Sequence, residues 1–102
     1  MAERNIEALE EKAHHVAERL GMLANPRRLL ILCRLAEGES SVGKLQETLD
    51  LGQSALSQHL AKLRAAGMVS TRRSGQTVYY RIEDPEVRAI MAALYDTFCG
   101  DG

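Results

Sequence analysis

The sequence feature that most constrains the fold is a change of hydrophobic period on either side of Gly67. Before it, residues 53–66 carry apolar side chains at the i, i+4, i+7 spacing of a helix with one buried face. After it, residues 68–73 and 76–82 are predicted to form two strands, the second with Val78, Tyr80 and Ile82 on one face. Ser74-Gly75 between them suits a tight turn in which Gly adopts positive φ. The sequence therefore predicts a helix followed directly by a β-hairpin. The leucines that define the helix face are Leu56, Leu60 and Leu63.

The same part of the chain is basic. Residues 53–81 contain no Asp or Glu, whereas residues 1–50 have a formal net charge of −2 and residues 82–102 one of −4. A basic segment in an otherwise acidic protein indicates a surface that meets a polyanion such as nucleic acid. The alternative is a solvated face whose sign is accidental. The five basic residues are Lys62, Arg64, Arg72, Arg73 and Arg81.

Four helices are predicted before the hairpin and one after it. The first carries an apolar seam with steps of three and four residues, which indicates either a dimer seam or an ordinary core helix. The second begins at Asn25-Pro26, where Asn caps and Pro loses no hydrogen bond, and runs to about residue 37. Ser41 is expected to cap a short third helix, and Asp84-Pro85 opens the last. The seam consists of Ile6, Leu9, Ala13, Val16, Leu20 and Leu23.

This order, α-α-α-α-β-β-α, predicts a mainly α winged helix-turn-helix. Residues 1–102 are enough for one domain, with the helix-turn-helix at about 41–66 and the wing at about 68–82. The fourth helix of such a domain can lie in the major groove while the wing reaches flanking phosphates or the minor groove. The predicted DNA contacts are Gln53, Ser54, Ser57, Gln58, His59 and Lys62 of the helix and Arg72, Arg73 and Gln76 of the wing, with Tyr79 and Arg81 as weaker candidates.

The chemistry of these side chains suits DNA. Gln bonds adenine through its bidentate amide, and Ser bonds base edges or phosphate. Lys62, farther along the helix, is better placed for phosphate. His59 is interpreted as a helix-surface or phosphate-contacting residue rather than a metal ligand.

Other classes of protein fit less well. An enzyme is not expected, because Cys33 and His59 lack a supporting acid at motif spacing and the chain has no phosphate-binding loop. No apolar run approaches the roughly 18 residues that span a bilayer, and Met1 is followed by charged residues rather than a secretory signal. We expect a cytoplasmic protein without a cofactor or membrane partner, in which Cys33 and Cys99 are thiols.

At the level of motifs the chain resembles the ArsR family of bacterial winged-helix repressors. The resemblance is carried by residues 51–63, 67–69, 72–80 and 20–28, and it spans nearly the whole chain from about Ala13. Gly52 departs from the family's usual Ser cap, at a cost of only a few tenths of a kcal/mol. The resemblance implies a homodimer built on the first and last helices, which binds double-stranded operator DNA as an inverted repeat with half-sites about one helical turn apart.

Membership of the family does not identify the effector, because the sensor site varies between members. Arsenic-sensing members place cysteines in the third helix, and zinc-sensing members gather Asp, His and Glu ligands on the last helix. This chain has no cysteine in its third helix and no histidine in its last. A metal-responsive repressor remains the alternative, with ligands drawn from the acids of the last helix, His14-His15 and the thiols.

The two cysteines instead resemble those of the sulfide- and persulfide-responsive BigR/SqrR-like subgroup. Taken singly, Cys33 is expected to be a buried apolar residue and Cys99 an inert thiol at a fraying helix end. As a pair they match the subgroup, which implies a repressor of sulfide-handling genes. Reactive sulfur species would join the two thiols through added sulfur and release the dimer from DNA. Arg34 is expected to lower the pKa of the Cys33 thiol.

Overall fold

The structure, a computed structural model, describes residues 6–99. Within them the chain forms α1 (Ile6–Glu11), α2 (Ala13–Leu23), α3 (Pro26–Glu37), β1 (Ser40–Ser41), α4 (Val42–Thr48), α5 (Gln53–Ala65), β2 (Val69–Ser74), β3 (Thr77–Ile82) and α6 (Pro85–Phe98). This is a mainly helical winged helix-turn-helix, as predicted. The two ends of the predicted 1–102 domain, residues 1–5 and 100–102, lie outside the described residues.

Side-chain caps set the starts of three helices at the positions predicted from sequence. Asn25 Oδ1 accepts hydrogen bonds from the N–H groups of Arg27 (3.0 Å) and Arg28 (3.1 Å) at the start of α3. Ser41 Oγ accepts one from the Lys44 N–H group (3.1 Å) at the start of α4. Asp84 plays the same part for α6. These bonds satisfy N–H groups that have no partner inside the helix.

The predicted first helix differs in detail, because it is interrupted at Lys12 and forms α1 and α2. The Lys12 N–H group lies between two acceptors, Ala8 O (3.3 Å) and Leu9 O (3.1 Å), so one turn departs from regular α geometry. Hydrophobic spacing survives such a break and therefore gives no sign of it. Leu23 at the end of the seam is buried, whereas Ile6, Leu9 and Leu20 are exposed.

The wing is the antiparallel hairpin β2–β3, which pairs Val69 with Ile82 at its base and Ser74 with Thr77 at its tip. Gly75 in the turn has a φ of 62°, a conformation that favours glycine. A third strand, β1, pairs with β3 on the side away from β2, so the sheet order is β1-β3-β2. Strand β1 was not predicted, because two residues are too few to show a hydrophobic period.

The core lies where α3, α5, α6 and one face of the sheet meet. The predicted α5 leucines are among its fully buried members, and on β3 the alternation places Tyr80 and Ile82 on the core face and Tyr79 and Arg81 on the outer face. Across residues 6–99, no helix combines the length and apolar character that a bilayer span requires. The buried apolar residues are Leu23, Ile31, Leu32, Leu35, Leu45, Leu49, Leu56, Leu60, Leu63, Met68, Val69, Ile82, Val87 and Met91.

Candidate nucleic-acid interface and thiol cleft

The outer face of α5 carries polar side chains opposite its buried leucines. Because the leucines fix the rotation of the helix against the core, the remaining positions must face solvent. The side chains there are amides, hydroxyls and one ammonium, which supply donors and acceptors for base edges and phosphates. The predicted contact residues that are exposed on this face are Gln53, Ser54, Ser57, Gln58 and Lys62.

His59 is half-buried at the edge of the same helix. Its pKa is lowered, first by burial and then by the positive charges of Arg28 and Lys62. The imidazole is therefore uncharged at neutral pH. Its Nδ1 atom is buried without a hydrogen-bond partner among residues 6–99. His59 is thus suited to a hydrogen bond rather than to ionic attraction of phosphate.

The two adjacent wing arginines lie on opposite faces of the sheet, because side chains alternate along β2. Arg73 pairs in register with Val78 and shares the face that packs towards α5. Arg72 pairs with Tyr79 on the outer face. Gln76 is exposed in the turn that joins the two strands.

Arg72 is held by a carboxylate from a distant part of the chain. Its Nε donates to both oxygens of Glu39, at 2.9 and 2.8 Å, and its Nη2 lies 2.8 Å from Glu39 Oε1. The guanidinium also lies over the Tyr79 ring, 4.5 Å from the centroid. The hydrogen bond from Arg72 lowers the pKa of the Glu39 carboxyl group, so the pair stays charged at neutral pH.

Arg81 is also paired on the outer face. Its Nη2 lies 3.3 Å from Glu83 Oε1, and its Nε donates to Ser70 Oγ at 3.2 Å. Ser70 Oγ in turn donates to Glu83 at 2.9 Å. Two of the five basic residues of the acid-free segment therefore face acids from outside it, Arg72 a distant one before it and Arg81 one just after it. In the described part of the chain, those that face no acidic partner are Lys62, Arg64 and Arg73.

Cys33 and Cys99, far apart in sequence, line one open cleft of about 410 Å³ where the end of α6 lies beside α3. Cys33 is half-buried on α3, and Cys99 is exposed immediately after α6. Both are free thiols. The other residues around the cleft are Leu30, Arg34, Glu37, Thr48, Leu49, Asp50 and Tyr95.

The pKa of the Cys33 thiol is raised, which is opposite to the direction expected from Arg34. Burial is the largest cause, followed by the negative charges of Cys99 and Glu37. Arg34 does lower the pKa, but its contribution is the smallest of the four. Its guanidinium is directed to Glu37, with Nη1 3.5 Å from Oε1, so part of its charge is already compensated.

Glu37 and Tyr95 were not singled out from the sequence, yet they join the two helices at the cleft. Tyr95 Oη donates to Glu37 Oε2 at 3.1 Å and so connects α6 to the last turn of α3. Glu39, two residues beyond Glu37, was also missed. A single Glu on a helix or loop gives no sequence signal of its partner, because that partner is supplied by the tertiary fold.

Among residues 6–99, no group of three or more His, Cys, Asp or Glu side chains is arranged to hold a metal ion. Two of the acids considered as ligands pair with basic side chains, one of which, His15, is itself a candidate ligand. Glu86 Oε1 lies 2.7 Å from His15 Nε2, and Asp84 Oδ2 lies 3.0 Å from Arg19 Nη2.

Comparison with known proteins agrees with this geometry. The family model described as bacterial regulatory protein, arsR family, matches residues 25–71. The chain is 45% identical over 98 residues to the transcriptional activator HlyU of Vibrio cholerae serotype O1, covering 96% of this chain and 91% of that protein. It is 46% identical over 92 residues to the biofilm growth-associated repressor of Agrobacterium fabrum, covering 90% of this chain and 79% of the relative.

A solved structure also resembles this chain and belongs to a transcriptional regulator. The crystal structure of the transcriptional repressor BigR from Xylella fastidiosa superposes with a TM-score of 0.87 at 41% identity, covering 94% of this chain and 98% of that one. These relatives are DNA-binding transcriptional regulators rather than enzymes. The chain therefore belongs to the arsR family of bacterial regulatory proteins, in the subgroup of its BigR-like relatives.

Proposed function

We propose that this protein is a homodimeric repressor of the cytoplasm that leaves its operator when reactive sulfur species link Cys33 to Cys99. The observation that carries the proposal is that the two thiols line the same cleft, although one lies on α3 and the other follows α6. Each thiol alone would be unremarkable. A shared cleft makes a covalent link between the two helices chemically reasonable.

DNA binding is assigned to the exposed face of α5 and to the wing. The small side chains of Ser54 and Ser57 let the helix lie deep in the major groove, where Gln53 and Gln58 can bond base edges. The remaining contacts then face the DNA backbone or the minor groove. They are made by Lys62 and His59 of α5 and by Arg73 and Gln76 of the wing. We expect a dimer to contact an inverted repeat whose half-sites are about one helical turn apart.

The dimer is supported by exposed apolar side chains on the helices that the family resemblance assigns to the interface. On the N-terminal side, Ile6 is 65% exposed and Leu9 is 51% exposed. Phe98 at the end of α6 is 78% exposed. Large apolar side chains so exposed favour burial against a second copy of the chain.

The proposed modification uses a hydropolysulfide as the oxidant. The Cys99 Sγ thiolate attacks the central sulfur of hydrogen trisulfide, HS–S–SH, forming the hydrotrisulfide Cys99 Sγ–S–SH and releasing HS⁻. The Cys33 thiolate then attacks the middle sulfur of that chain and releases a second HS⁻, which leaves a trisulfide bridge. The two thiols lose two electrons, one sulfane sulfur is retained, and another is reduced to sulfide. Because the bridge is longer than a disulfide, it relaxes the limit of about 7 Å between Cα atoms.

Such a bridge would tie the end of α6 to α3, which packs against α5. A difference of about 1–3 kcal/mol between the DNA affinities of the two forms, 5–150-fold, would make a useful switch. We expect the regulated genes to serve sulfide detoxification. Because relatives include both a repressor and an activator, the test must also measure transcription.

The test compares wild type with the single variants Cys33→Ser and Cys99→Ser. Reduced protein is treated with sodium polysulfide, examined by intact mass spectrometry, and assayed for binding to the DNA upstream of its regulated genes. We expect a sulfur-linked species and weakened binding in wild type only, with reporter expression rising in parallel. A response that persists in both variants would show that the cysteines are not the sensor. Tight zinc binding with loss of DNA affinity would instead identify a metal-responsive repressor.

A further inference from the structure

The outer face of the sheet carries a row of side chains that crosses all three strands. Glu39 immediately precedes β1, Tyr79 lies on β3, and Arg72 lies on β2. The Arg72 guanidinium passes over the Tyr79 ring and ends on both carboxylate oxygens of Glu39. The row therefore connects the edge strand of the wing to the segment that links α3 with α4.

The opposite face carries Arg73 in a different environment. Its face includes Val69 and Tyr80, which pack towards α5, and Tyr80 lines a cavity together with Ser57 and Ala61 of that helix. Arg73 is exposed and faces no acidic partner within residues 6–99. The positive charge of Arg73 is therefore not compensated by an acid in this part of the chain, and it lies on the same side of the sheet as α5.

We propose that the two wing arginines have different tasks: Arg73 contacts a DNA phosphate, and Arg72 positions the wing through Glu39. To reach a phosphate, Arg72 would have to leave a bidentate carboxylate and an aromatic face that already satisfy it. Its departure would also leave the Glu39 carboxylate uncompensated near the DNA polyanion. Neither cost applies to Arg73.

The position of Glu39 explains how its ion pair with Arg72 can hold the wing in place. Strand β1 has only two residues, Ser40 and Ser41, so backbone pairing alone holds the wing weakly to the helix-turn-helix. Ser41 is also the cap of α4. The ion pair from Arg72 to Glu39 therefore fixes the wing relative to α4 and α5, which a DNA duplex would touch at the same time.

The test measures how the affinity for DNA depends on salt. Wild type and variants are titrated into a fluorescein-labelled duplex of mixed sequence at several salt concentrations, so that no operator needs to be known. Each lost phosphate contact reduces the slope of log affinity against log salt by about 0.9. We expect that decrease for each wing in Arg73→Gln, and a slope close to wild type in the matched variant Arg73→Lys, which keeps the charge.

Arg72 should respond differently. Arg72→Gln and Arg72→Lys should both weaken binding by about two- to fivefold with an unchanged slope, because Lys cannot reproduce the bidentate contact. The charge-swapped variant, Glu39→Arg with Arg72→Glu, should recover part of the lost affinity. Two outcomes would overturn the proposal: a decreased slope in Arg72→Gln with recovery in Arg72→Lys, or wild-type affinity in Glu39→Gln, which would show that the contact with Glu39 does not position the wing.

Discussion

At the scale of single residues, the two thiols differ in environment and should differ in reactivity. Cys99 is exposed, whereas burial and neighbouring negative charge raise the pKa of Cys33 above its ordinary value of 9.0. The raised pKa keeps Cys33 mostly protonated at neutral pH, and because only the thiolate is nucleophilic, Cys33 reacts slowly there. We therefore infer that Cys99 is modified first and that Cys33 closes the bridge.

This inference predicts a pH dependence. Below its raised pKa, the thiolate fraction of Cys33 grows about tenfold per pH unit, so bridge closure should accelerate with pH up to and beyond 9.0. Rapid-quench mass spectrometry at several pH values separates the Cys99 adduct from the bridged species. Cys33→Ser and Cys99→Ser provide the two isolated thiols for comparison. Faster modification of Cys33 than of Cys99 at pH 7 would contradict the proposed order.

At the scale of elements, the start of α6 is fixed by one buried carboxylate. Asp84 is 8% exposed, caps α6 through the N–H group of Glu86 (2.8 Å), and pairs with Arg19 of α2 at 3.0 Å. Arg19 also donates to Ala66 O at 2.7 Å beyond the end of α5. A single side-chain cluster thus joins α2, α5 and α6.

Removing this carboxylate should destabilise the domain. We expect Asp84→Ala to lower the free energy of unfolding by about 2–4 kcal/mol, because it removes a cap and leaves the Arg19 charge without its partner. Asp84→Asn keeps a capping oxygen and should lose less. Urea denaturation followed by circular dichroism measures both. Equal losses in the two variants would show that the cap contributes little and that the ion pair dominates.

At the scale of the whole molecule, oligomeric state should decide DNA affinity. Leu20 is 48% exposed on α2, in the seam assigned to the dimer interface. Leu20→Glu would bury a charge against an apolar surface, so we expect sedimentation to show a shift to monomer, together with weaker operator binding. Gln46→Glu adds the same charge at an exposed position of α4 and should leave the sedimentation unchanged. A Leu20→Glu protein that sediments as wild type does would place the interface elsewhere.

Much of the architecture follows from local chemistry. Caps at Asn25, Ser41 and Asp84, and the change of period at Gly67, determined where helices and strands begin because those interactions lie within a few residues of each other. The same reasoning oriented α5 and distinguished its buried leucines from its polar face. It could not detect the interruption at Lys12 or the two-residue strand β1, since neither alters a hydrophobic period.

Only the tertiary structure decided which basic side chains of the acid-free segment lack an acidic partner in the described part of the chain. By sequence alone, Arg72 and Arg73 looked equivalent, and both were predicted DNA contacts. Folding brings Glu39 to Arg72 and Glu83 to Arg81, and it leaves Lys62, Arg64 and Arg73 free of acidic partners within residues 6–99. Likewise, only the packing of α6 beside α3 brings Cys33 and Cys99 to one cleft. Sequence determines which charges and thiols a chain carries, but charges and thiols act through space, and spatial neighbours are fixed by the fold.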